Sequence, residues 1–372
     1  MDHNTDTKMM ARALQLARKG QYWAAPNPHV GCVLVLEGHI IGEGFTQAAG
    51  GNHAEIEALL DAGDARGATA YVTLEPCCHS GKTGPCSGAL ISAGVSRVVA
   101  AMEDPNPLVA GSGMVQLREA GIETSCGLLE SQARQMIIGF VERMTRGRGR
   151  VRAKLAMSLD GRTAMASGES QWITGGAARA DVQRLRAMSC AIVTGIGTVL
   201  SDDCALTVRA DQLDLPWEQV QWAGKRQPLR AVLDSSLQTP AQARVLQGQG
   251  GTLLFHAEDT VIPSSLAASG AEFVALPRTT QGLDLKQLFS ALNARHCSEI
   301  LVESGPRLAG ALLQLGLLDE LIIYMAPTLM GSAARPLLEL PLGSMAEKVP
   351  LHIEDMRRVG RDWRLTVTPH RE

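Results

Sequence analysis

The segment LEPCCHSGKTGPC (74–86) concentrates cysteines in a pattern that favours metal binding. Cys77 follows a proline, and Cys86 comes after a gap of eight residues. Upstream, His53 and Glu55 belong to a His-Ala-Glu triplet at the predicted start of a helix. A catalytic zinc ion takes three protein ligands and keeps one position open for water. His53, Cys77 and Cys86 therefore form a candidate set of three zinc ligands.

Glu55 has a separate role in this interpretation. Side chains two positions apart on a helix point in different directions, so Glu55 would lie beside the water while His53 binds the ion. The order His-x-Glu, Pro-Cys, Cys is typical of zinc deaminases, whose Glu is the general acid and base. Zinc lowers the pKa of water, and Glu55 would pass protons to the ring nitrogen and to the departing ammonia. The alternative is a structural zinc site closed by Cys78 or His79 as the fourth ligand.

A layered α/β framework is predicted to position these residues. Residues 1–147 alternate helices with short apolar strands, which indicates an α/β fold. The predicted strands lie within 30–44 (two strands around a Glu37–Gly38 turn), 68–76, 97–102 and 122–126. The predicted helices cover 9–19, 53–63, 85–93, 113–120 and 130–145.

The segment RMTRGRGRVRAK (143–154) marks the predicted boundary between two domains, 1–147 and 151–372. Its arginines have little to bury and no interleaved aromatic residue, which favours a solvated linker over a nucleic-acid-binding arm. The second domain is again α/β, with predicted strands at 151–157, 191–195, 229–234, 251–256, 271–276, 299–303, 320–326 and 363–368. Helices are predicted near 176–188, 284–296 and 307–316, and a long surface loop at 208–228.

Two glycine turns of the second domain have the pattern of a phosphate cradle. Strand 191–195 runs into Gly195-Ile196-Gly197-Thr198, and strand 299–303 is followed by Gly305-Pro306 and a helix. A strand that feeds a glycine turn and a helix N-terminus presents backbone N–H groups to anions. Two ordinary tight turns are the alternative interpretation. No Gly-x-Gly-x-x-Gly follows a strand, so an ordinary Rossmann site is not supported.

Composition excludes several classes of partner. The chain of 372 residues has a net charge of −3 and 3% aromatic residues, which argues against nucleic acid and anionic membranes. No apolar run reaches a membrane span, and the polar N-terminus lacks a signal core. We therefore expect a cytoplasmic protein with reduced thiols and a small-molecule substrate.

Four motifs together resemble the bifunctional riboflavin-biosynthesis deaminase–reductase family: PNPHVGCVLV (26–35), HAE (53–55), TLEPCCHSGKTGPC (73–86) and DPNPLVAGSG (104–113). The resemblance implies a cytidine-deaminase-like, three-layer N-terminal domain and a dihydrofolate-reductase-like C-terminal domain. It also implies zinc on His53, Cys77 and Cys86, with Glu55 as proton carrier. The implied substrate is 2,5-diamino-6-ribosylamino-4(3H)-pyrimidinone 5′-phosphate, contacted by Asn27, His79 and Lys82.

The same resemblance extends through the second domain in KLAMSLDGRTA (154–164), GESQWIT (168–174), GTVLSDDCALTVR (197–209) and VESGPRLAGALL (302–313). It implies NADPH-dependent reduction of the ribosyl chain to ribityl, with Lys154 as a candidate to polarise the reacting sugar carbon. The implied substrate contacts are Ser170, Arg186, Leu206, Arg209 and Glu303. The implied cofactor contacts are Ala156, Trp172, Thr198, Asp202, Ser235, Gly305, Pro306, Arg307, Leu308, Ala309, Gly310 and Ala311. Arg186 and Arg209 suit a clamp on a 5′-phosphate.

Three positions depart from the family pattern: Thr46 replaces a His, Gly84 a Pro and Cys204 a Pro. Family members generally associate, so a homo-oligomer (dimer or tetramer) is expected. Two rival interpretations remain at this point. One is a zinc deaminase of another free base or of tRNA, with a C-terminal domain that only binds. The other is a zinc-stabilised nucleotide-binding or regulatory module without turnover.

Overall fold

The computed structural model describes residues 3–78, 84–107, 109–280 and 282–370. The chain divides into two units, Met1–Gly147 and Arg148–Glu372. Each unit has its own main sheet; the first has one buried hydrophobic core and the second has two.

The first unit is built on a five-stranded sheet of order β2-β1-β3-β4-β5. Strand β1 is antiparallel to both β2 and β3, whereas β3, β4 and β5 are parallel to one another. The described strands are β1 Gly31–Leu36, β2 His39–Phe45, β3 Thr69–Val72, β4 Arg97–Ala100 and β5 Glu123–Cys126. The described helices are α1 His3–Lys19, α2 Ala54–Ala62, α3 Cys86–Ser92, α4 Ser112–Glu119, α5 Glu130–Met136 and α6 Ile138–Arg146.

Close helix–strand contacts fix three layers in this unit. A Cβ at Gly31 would lie 2.0 Å from the carbonyl oxygen of Ala13 in α1. A Cβ at Gly44 would lie 2.2 Å from the carbonyl oxygen of Ala54 in α2. Gly31 pairs with Phe45, one residue along β2 from Gly44, so the two glycines face opposite sides of the sheet. Helices α1 and α2 therefore cover opposite faces, and only glycine permits these approaches.

The second unit is built on a nine-stranded sheet of order β11-β10-β9-β8-β14-β6-β15-β18-β17. Its strands are parallel from β11 to β15, and β18 and β17 add an antiparallel edge. The sheet strands are β6 Arg150–Ser158, β8 Ala191–Gly195, β9 Leu229–Leu233, β10 Thr252–Ala257, β11 Glu272–Leu276, β14 Glu299–Glu303, β15 Glu320–Ala326, β17 Leu351–Val359 and β18 Asp362–Pro369. Two short pairs lie outside it: β7 Arg162–Ala164 with β16 Arg335–Pro336, and β12 Arg278–Thr279 with β13 Gly282–Leu283.

Helices cover both faces of this sheet. The described helices are α7 Gly176–Met188, α8 Ile196–Asp202, α9 Trp217–Ala223, α10 Ser264–Ala267, α11 Leu285–Ala294 and α12 Pro306–Gln314. In β14, Ile300 and Val302 pack in one core with residues of α11 and α12, whereas Leu301 packs in a second core with residues of α7, α8 and α10. This alternation is what a strand buried on both faces requires.

The two-domain α/β fold class is confirmed, while several local predictions are wrong. The predicted helix 130–145 is two helices that meet at Ile137. The predicted loop 208–228 contains α9, and strand β17 and helix α8 were not predicted. The arginines at the boundary do not form a solvated linker. Three of them form ion pairs within the second unit: Arg148 with Asp319, Arg150 with Glu320, and Arg152 with Glu299. Arg146 pairs with Glu142 in α6.

Candidate active sites

The three candidate zinc ligands lie together beyond the carboxyl end of β3, the central strand of the first sheet. His53 precedes the first residue of α2, Cys77 lies in the segment after β3, and Cys86 begins α3. The His53 Nδ1 lies 3.7 Å from the Cys77 Sγ and 3.4 Å from the Cys86 Sγ. One ligand atom from each residue lies within 4.8 Å of the other two. Two sulfurs and one imidazole nitrogen at these separations fit a zinc ion.

Glu55 is buried in the first turn of α2, next to these ligands. The pKa of the Glu55 carboxyl is raised to about 7, chiefly by burial; the charge on Cys77 contributes to this rise, whereas a backbone hydrogen bond and His53 oppose it. The hydrogen bond from Cys86 lowers the pKa of Cys77, so Cys77 is the sulfur that ionises more readily. Its sulfur also accepts a hydrogen bond of 3.5 Å from the Cys86 backbone N–H.

Glu75 connects two motifs, and the sequence alone did not single it out. Its carboxylate is 3% exposed and accepts four backbone hydrogen bonds from the segment 104–114. A Cβ at Gly113 would lie 2.0 Å from the Pro76 carbonyl oxygen, so the two segments are in direct backbone contact. Residues 73–78 and 104–113 therefore form one hydrogen-bonded unit behind Cys77.

Ser87 attaches Cys77 to α3. Its backbone N–H and its hydroxyl both lie within hydrogen-bonding distance of the Cys77 carbonyl oxygen, at 3.1 and 3.0 Å. The hydroxyl also lies 2.6 Å from the Gln116 side-chain oxygen in α4. These contacts hold the first thiol relative to the helix that carries the second.

The other residues considered for this site are Asn27, Thr46, His79 and Lys82. Asn27 is half-buried in the turn before β1, whose start is hydrogen-bonded to Thr73 after β3. Because β1 and β3 are antiparallel, Asn27 before β1 and Cys77 after β3 lie at the same end of these two strands. Thr46 is buried, and its hydroxyl accepts a hydrogen bond of 2.9 Å from the Val30 N–H. His79 and Lys82 lie outside the described residues.

The second unit contains a cleft of about 2380 Å³ at the carboxyl ends of its parallel strands. Most residues predicted for the reductase site line this cleft. They are Lys154, Ala156, Ser170, Trp172, Arg186, Thr198, Asp202, Leu206, Arg209, Ser235, Glu303, Gly305, Pro306, Arg307, Leu308 and Ala311. Ala309 and Gly310 do not line it. Both are buried in α12, where a Cβ at Gly310 would lie 2.2 Å from the Glu339 carbonyl oxygen.

Lys154 lies in the interior of β6, opposite Glu303 in the parallel register with β14. Arg186 forms two hydrogen bonds of 2.6 and 2.9 Å with the Glu303 carboxylate, and a third of 3.0 Å with the Thr207 carbonyl oxygen. Burial lowers the pKa of Lys154, and the nearby Arg186 lowers it further while Glu303 opposes this. Burial alone would raise the pKa of Glu303, yet Arg186 holds it below its ordinary value. Arg186 and Glu303 thus form an ion pair in the wall of the cleft, and Lys154 lies on the neighbouring strand opposite Glu303.

The glycine turns offer open backbone to a phosphate group. Among the described residues, no protein atom lies within 4 Å of a Cβ built at Gly195, Gly197 or Gly305. Gly305 immediately precedes α12, whose first residue is Pro306. Backbone N–H groups at such a position favour anions. The volume, the turns and the cations of the cleft together fit NADPH and a phosphorylated substrate.

Two other residues bear on this cleft. Trp172 is 68% exposed, and the Arg179 guanidinium lies 4.7 Å from the centre of its ring. Cys204 is half-buried in the cleft wall, and burial raises the pKa of its thiol to about 11. Cys204 is therefore a neutral thiol at physiological pH.

Comparison with known proteins identifies both units. The family model "Cytidine and deoxycytidylate deaminase zinc-binding region" matches residues 3–102, and "RibD C-terminal domain" matches residues 150–365. Riboflavin biosynthesis protein RibD of Escherichia coli K12 is 50% identical over 363 residues, which cover 96% of this chain and 97% of that protein. The chain belongs to the RibD family.

Solved structures agree with this assignment. RibD of Acinetobacter baumannii has a TM-score of 0.92 at 43% identity, and the match covers 100% of both chains. A deaminase/reductase of Thermotoga maritima has a TM-score of 0.85 at 31% identity and is covered to 99%, as is this chain. The expected RibD activities are confirmed: deamination of the diamino-pyrimidinone nucleotide and reduction of the ribosyl chain of the deaminated product, with Zn²⁺ and NADPH as cofactors.

These matches decide against the rival interpretations, because the second unit is itself a RibD reductase domain and not a module that only binds.

The described helices include none with the length and apolar character needed to cross a bilayer.

Proposed function

We propose that His53, Cys77 and Cys86 hold the zinc ion of the deaminase reaction, and that Glu55 carries its protons. The observation that supports this most directly is the approach of the His53 Nδ1 to both sulfurs, at 3.7 and 3.4 Å, with Glu55 buried in the adjoining helical turn. Zn²⁺ supplies a Lewis acid that makes water more acidic.

The protein residues supply orientation and proton transfer. Glu55 takes one proton from the attacking water and passes it to the ring nitrogen. It then takes the second proton from the newly added hydroxyl group and passes it to the departing ammonia. Asn27 orients the heterocycle by a hydrogen bond to its ring. His79 and Lys82, which the structure does not describe, are proposed to contact the sugar phosphate, since a donor and a cation suit this group.

The cleft of the second unit is proposed to bind NADPH and the deaminated nucleotide side by side. NADPH supplies the hydride, and the protein supplies orientation and charge. Lys154 is proposed to polarise the sugar carbon that is reduced, and the register places it opposite Glu303, whose carboxylate is paired with Arg186. Arg186 and Arg209, with Ser170, Leu206 and Glu303, are proposed to contact the substrate.

The cofactor is proposed to contact the opposite part of the same cleft, through Ala156, Trp172, Thr198, Asp202, Ser235 and the turn of residues 305–308 with Ala311. Ala309 and Gly310 support this turn from inside α12, because both are buried away from the cleft.

The substitution Glu55→Gln tests the deaminase assignment. We expect the zinc content of the purified chain to equal that of the parent, because Glu55 is not a ligand. Ammonia release from the diamino-pyrimidinone nucleotide should fall about 10²- to 10⁴-fold, the usual contribution of a positioned general acid and base.

Glu57→Gln is the matched control, since Glu57 lies in the same helix and accepts a hydrogen bond from the Asn52 side chain at 2.9 Å. Its ammonia release should remain within about twofold of the parent, as for a surface change. Near-parental deamination by Glu55→Gln would overturn the role assigned to Glu55, and loss of zinc in that variant would make Glu55 a ligand.

We also propose a cytoplasmic homo-oligomer. Free thiols at the zinc site suit a reducing compartment. Strand β17 is an edge strand with exposed apolar side chains at Leu351, Ile353 and Met356, a surface suited to a second copy of the chain. Light scattering coupled to size-exclusion chromatography should give a dimer or tetramer mass, and a monomer at micromolar concentration would contradict this.

A further inference from the structure

The acid that follows β9, the strand next to β8, is fully engaged in hydrogen bonds with its own turn. In dinucleotide-binding α/β sheets, an acid near the end of the following strand holds the ribose 2′-hydroxyl of NADH, and an arginine there accommodates the 2′-phosphate of NADPH. Here β9 lies next to β8 and is followed by Asp234. Asp234 is 1% exposed and accepts hydrogen bonds from the Gln238 N–H and from the N–H and hydroxyl of Thr239.

Topology gives the direction in which the cofactor extends. Strand β8 leads into α8 on one face of the sheet, whereas β14 leads into α12 on the other face. Ligands of such sheets bind where the connections diverge, which here is the crevice between β8 and β14. The nicotinamide must reach Lys154 on β6, beyond β14. The adenosine must therefore extend the opposite way, across the ends of β9 and β10.

Arg244 is the cation in that direction that combines a fixed backbone with an exposed side chain. It follows β9 in the same connection as Ser235, and both residues line the cleft. Its backbone N–H donates to the Asp203 carboxylate at 2.9 Å, at the end of α8. Within the described ranges, the Arg244 guanidinium forms no ion pair with a carboxylate, so its charge is available to a ligand.

Lys286 and Arg307, which also line the cleft, are placed less well for this contact. Lys286 lies in the first turn of α11, where its N–H binds the Asp284 carboxylate, and α11 packs on the face opposite α8. Arg307 is the second residue of α12, at the glycine turn proposed for the pyrophosphate.

We propose that Arg244 recognises the 2′-phosphate of NADPH, with the Ser235 hydroxyl as a second donor, and thereby selects NADPH over NADH. The inference rests on the proposed position of the cofactor at the turns of residues 195–198 and 305–306. The Asp234 carboxylate is bound to its own turn and so is not available to bind the ribose 2′-hydroxyl of NADH. The Arg244 guanidinium supplies a positive charge that favours the 2′-phosphate of NADPH.

Cofactor affinity tests this directly, without turnover. The parent chain and the variants Arg244→Ala, Arg244→Lys and Lys286→Ala are titrated with NADPH and NADH by fluorescence, and with 2′,5′-ADP and 5′-ADP by calorimetry. Arg244→Ala should bind NADPH and 2′,5′-ADP about 10- to 100-fold more weakly, the loss typical of one charge-assisted contact. Its affinity for NADH and 5′-ADP should stay within about twofold of the parent. Arg244→Lys should recover part of the loss, and Lys286→Ala should show none of it.

Unchanged NADPH affinity in Arg244→Ala, an equal loss for both cofactors, or a selective loss in Lys286→Ala instead would each overturn the assignment. A parent chain that binds NADPH and NADH equally would also overturn it, while leaving the proposed reductase site intact. A parent chain that binds neither cofactor would contradict the proposed reductase site itself.

Discussion

Glu75→Gln is the substitution whose effect can be worked out most fully from the structure. One carboxylate oxygen accepts the N–H groups of Gly113 and Met114 at 2.8 and 3.2 Å, and the other accepts those of Asp104 and Gly111 at 3.0 and 2.9 Å. Glutamine keeps one acceptor oxygen and turns an NH₂ group towards the other two donors. Two buried N–H groups then lose their partner.

The cost follows from the number of bonds that are lost. A hydrogen bond to a charged group contributes about 1.5–3 kcal/mol, so the loss of two costs about 3–6 kcal/mol. Local opening of β4 and α4 should then become more favourable by this amount, since the carboxylate binds the backbone just after β4 and in the first turn of α4. A change of about 3 kcal/mol corresponds to amide exchange faster by about 100-fold or more.

Hydrogen exchange followed by mass spectrometry is the suitable assay, because it resolves the two units. Peptides from β4 and α4 should lose protection in Glu75→Gln, while peptides from the second unit serve as an internal reference. The control Glu130→Gln removes a surface carboxylate that pairs with Arg134 and should change stability by less than about 0.5 kcal/mol. Parental protection of β4 and α4 in Glu75→Gln would refute the view that this carboxylate holds the segment.

Two further predictions concern buried charges. Hydrogen bonds from Arg97 hold the pKa of Asp6 below its ordinary value of 3.8, so the pair stabilises the first unit above that pH and the contribution is lost as the pH falls through the folded pKa. Asp6→Asn should therefore lower the free energy of unfolding at pH 7 by about 3 kcal/mol, and its difference from the parent should be smaller below pH 4. Chemical denaturation at both pH values measures this, and a difference that does not change with pH would contradict it. Lys154→Met should retain NADPH affinity but reduce the deaminated nucleotide about 10²- to 10³-fold more slowly, and near-parental reduction in a stopped-flow assay would contradict the role of Lys154.

Much of the deaminase site could be predicted from the sequence, because its signals are local. A helix start at His53, a proline before Cys77 and a second helix start at Cys86 each have a recognisable pattern, and the structure brings these three side chains together. The support behind them could not be predicted in this way. Glu75 acts on backbone N–H groups about 30–40 residues further along the chain, and no periodic pattern records such a contact.

Strand β17 and helix α8 were not predicted because neither has a regular alternation of apolar and polar residues. Strand β17 is an edge strand with mostly exposed residues, so it lacks the alternation of buried and exposed positions that identifies a strand. Helix α8 has only seven residues and begins beside two glycines, so its sequence favours a turn. The arginines of residues 148–152 appear unpaired along the chain, since their acidic partners lie about 150–170 residues away.

The central claim is that one chain carries two separate sites, one centred on Glu55 and the other on Lys154. It is tested most directly by assaying Glu55→Gln and Lys154→Met on each half-reaction, with ammonia release from the diamino-pyrimidinone nucleotide and NADPH oxidation with the deaminated nucleotide. We predict that Glu55→Gln loses only ammonia release, that Lys154→Met loses only NADPH oxidation, and that each retains the other activity at the parental level. Loss of both activities in either folded, zinc-loaded variant, or retention of both, would contradict the claim.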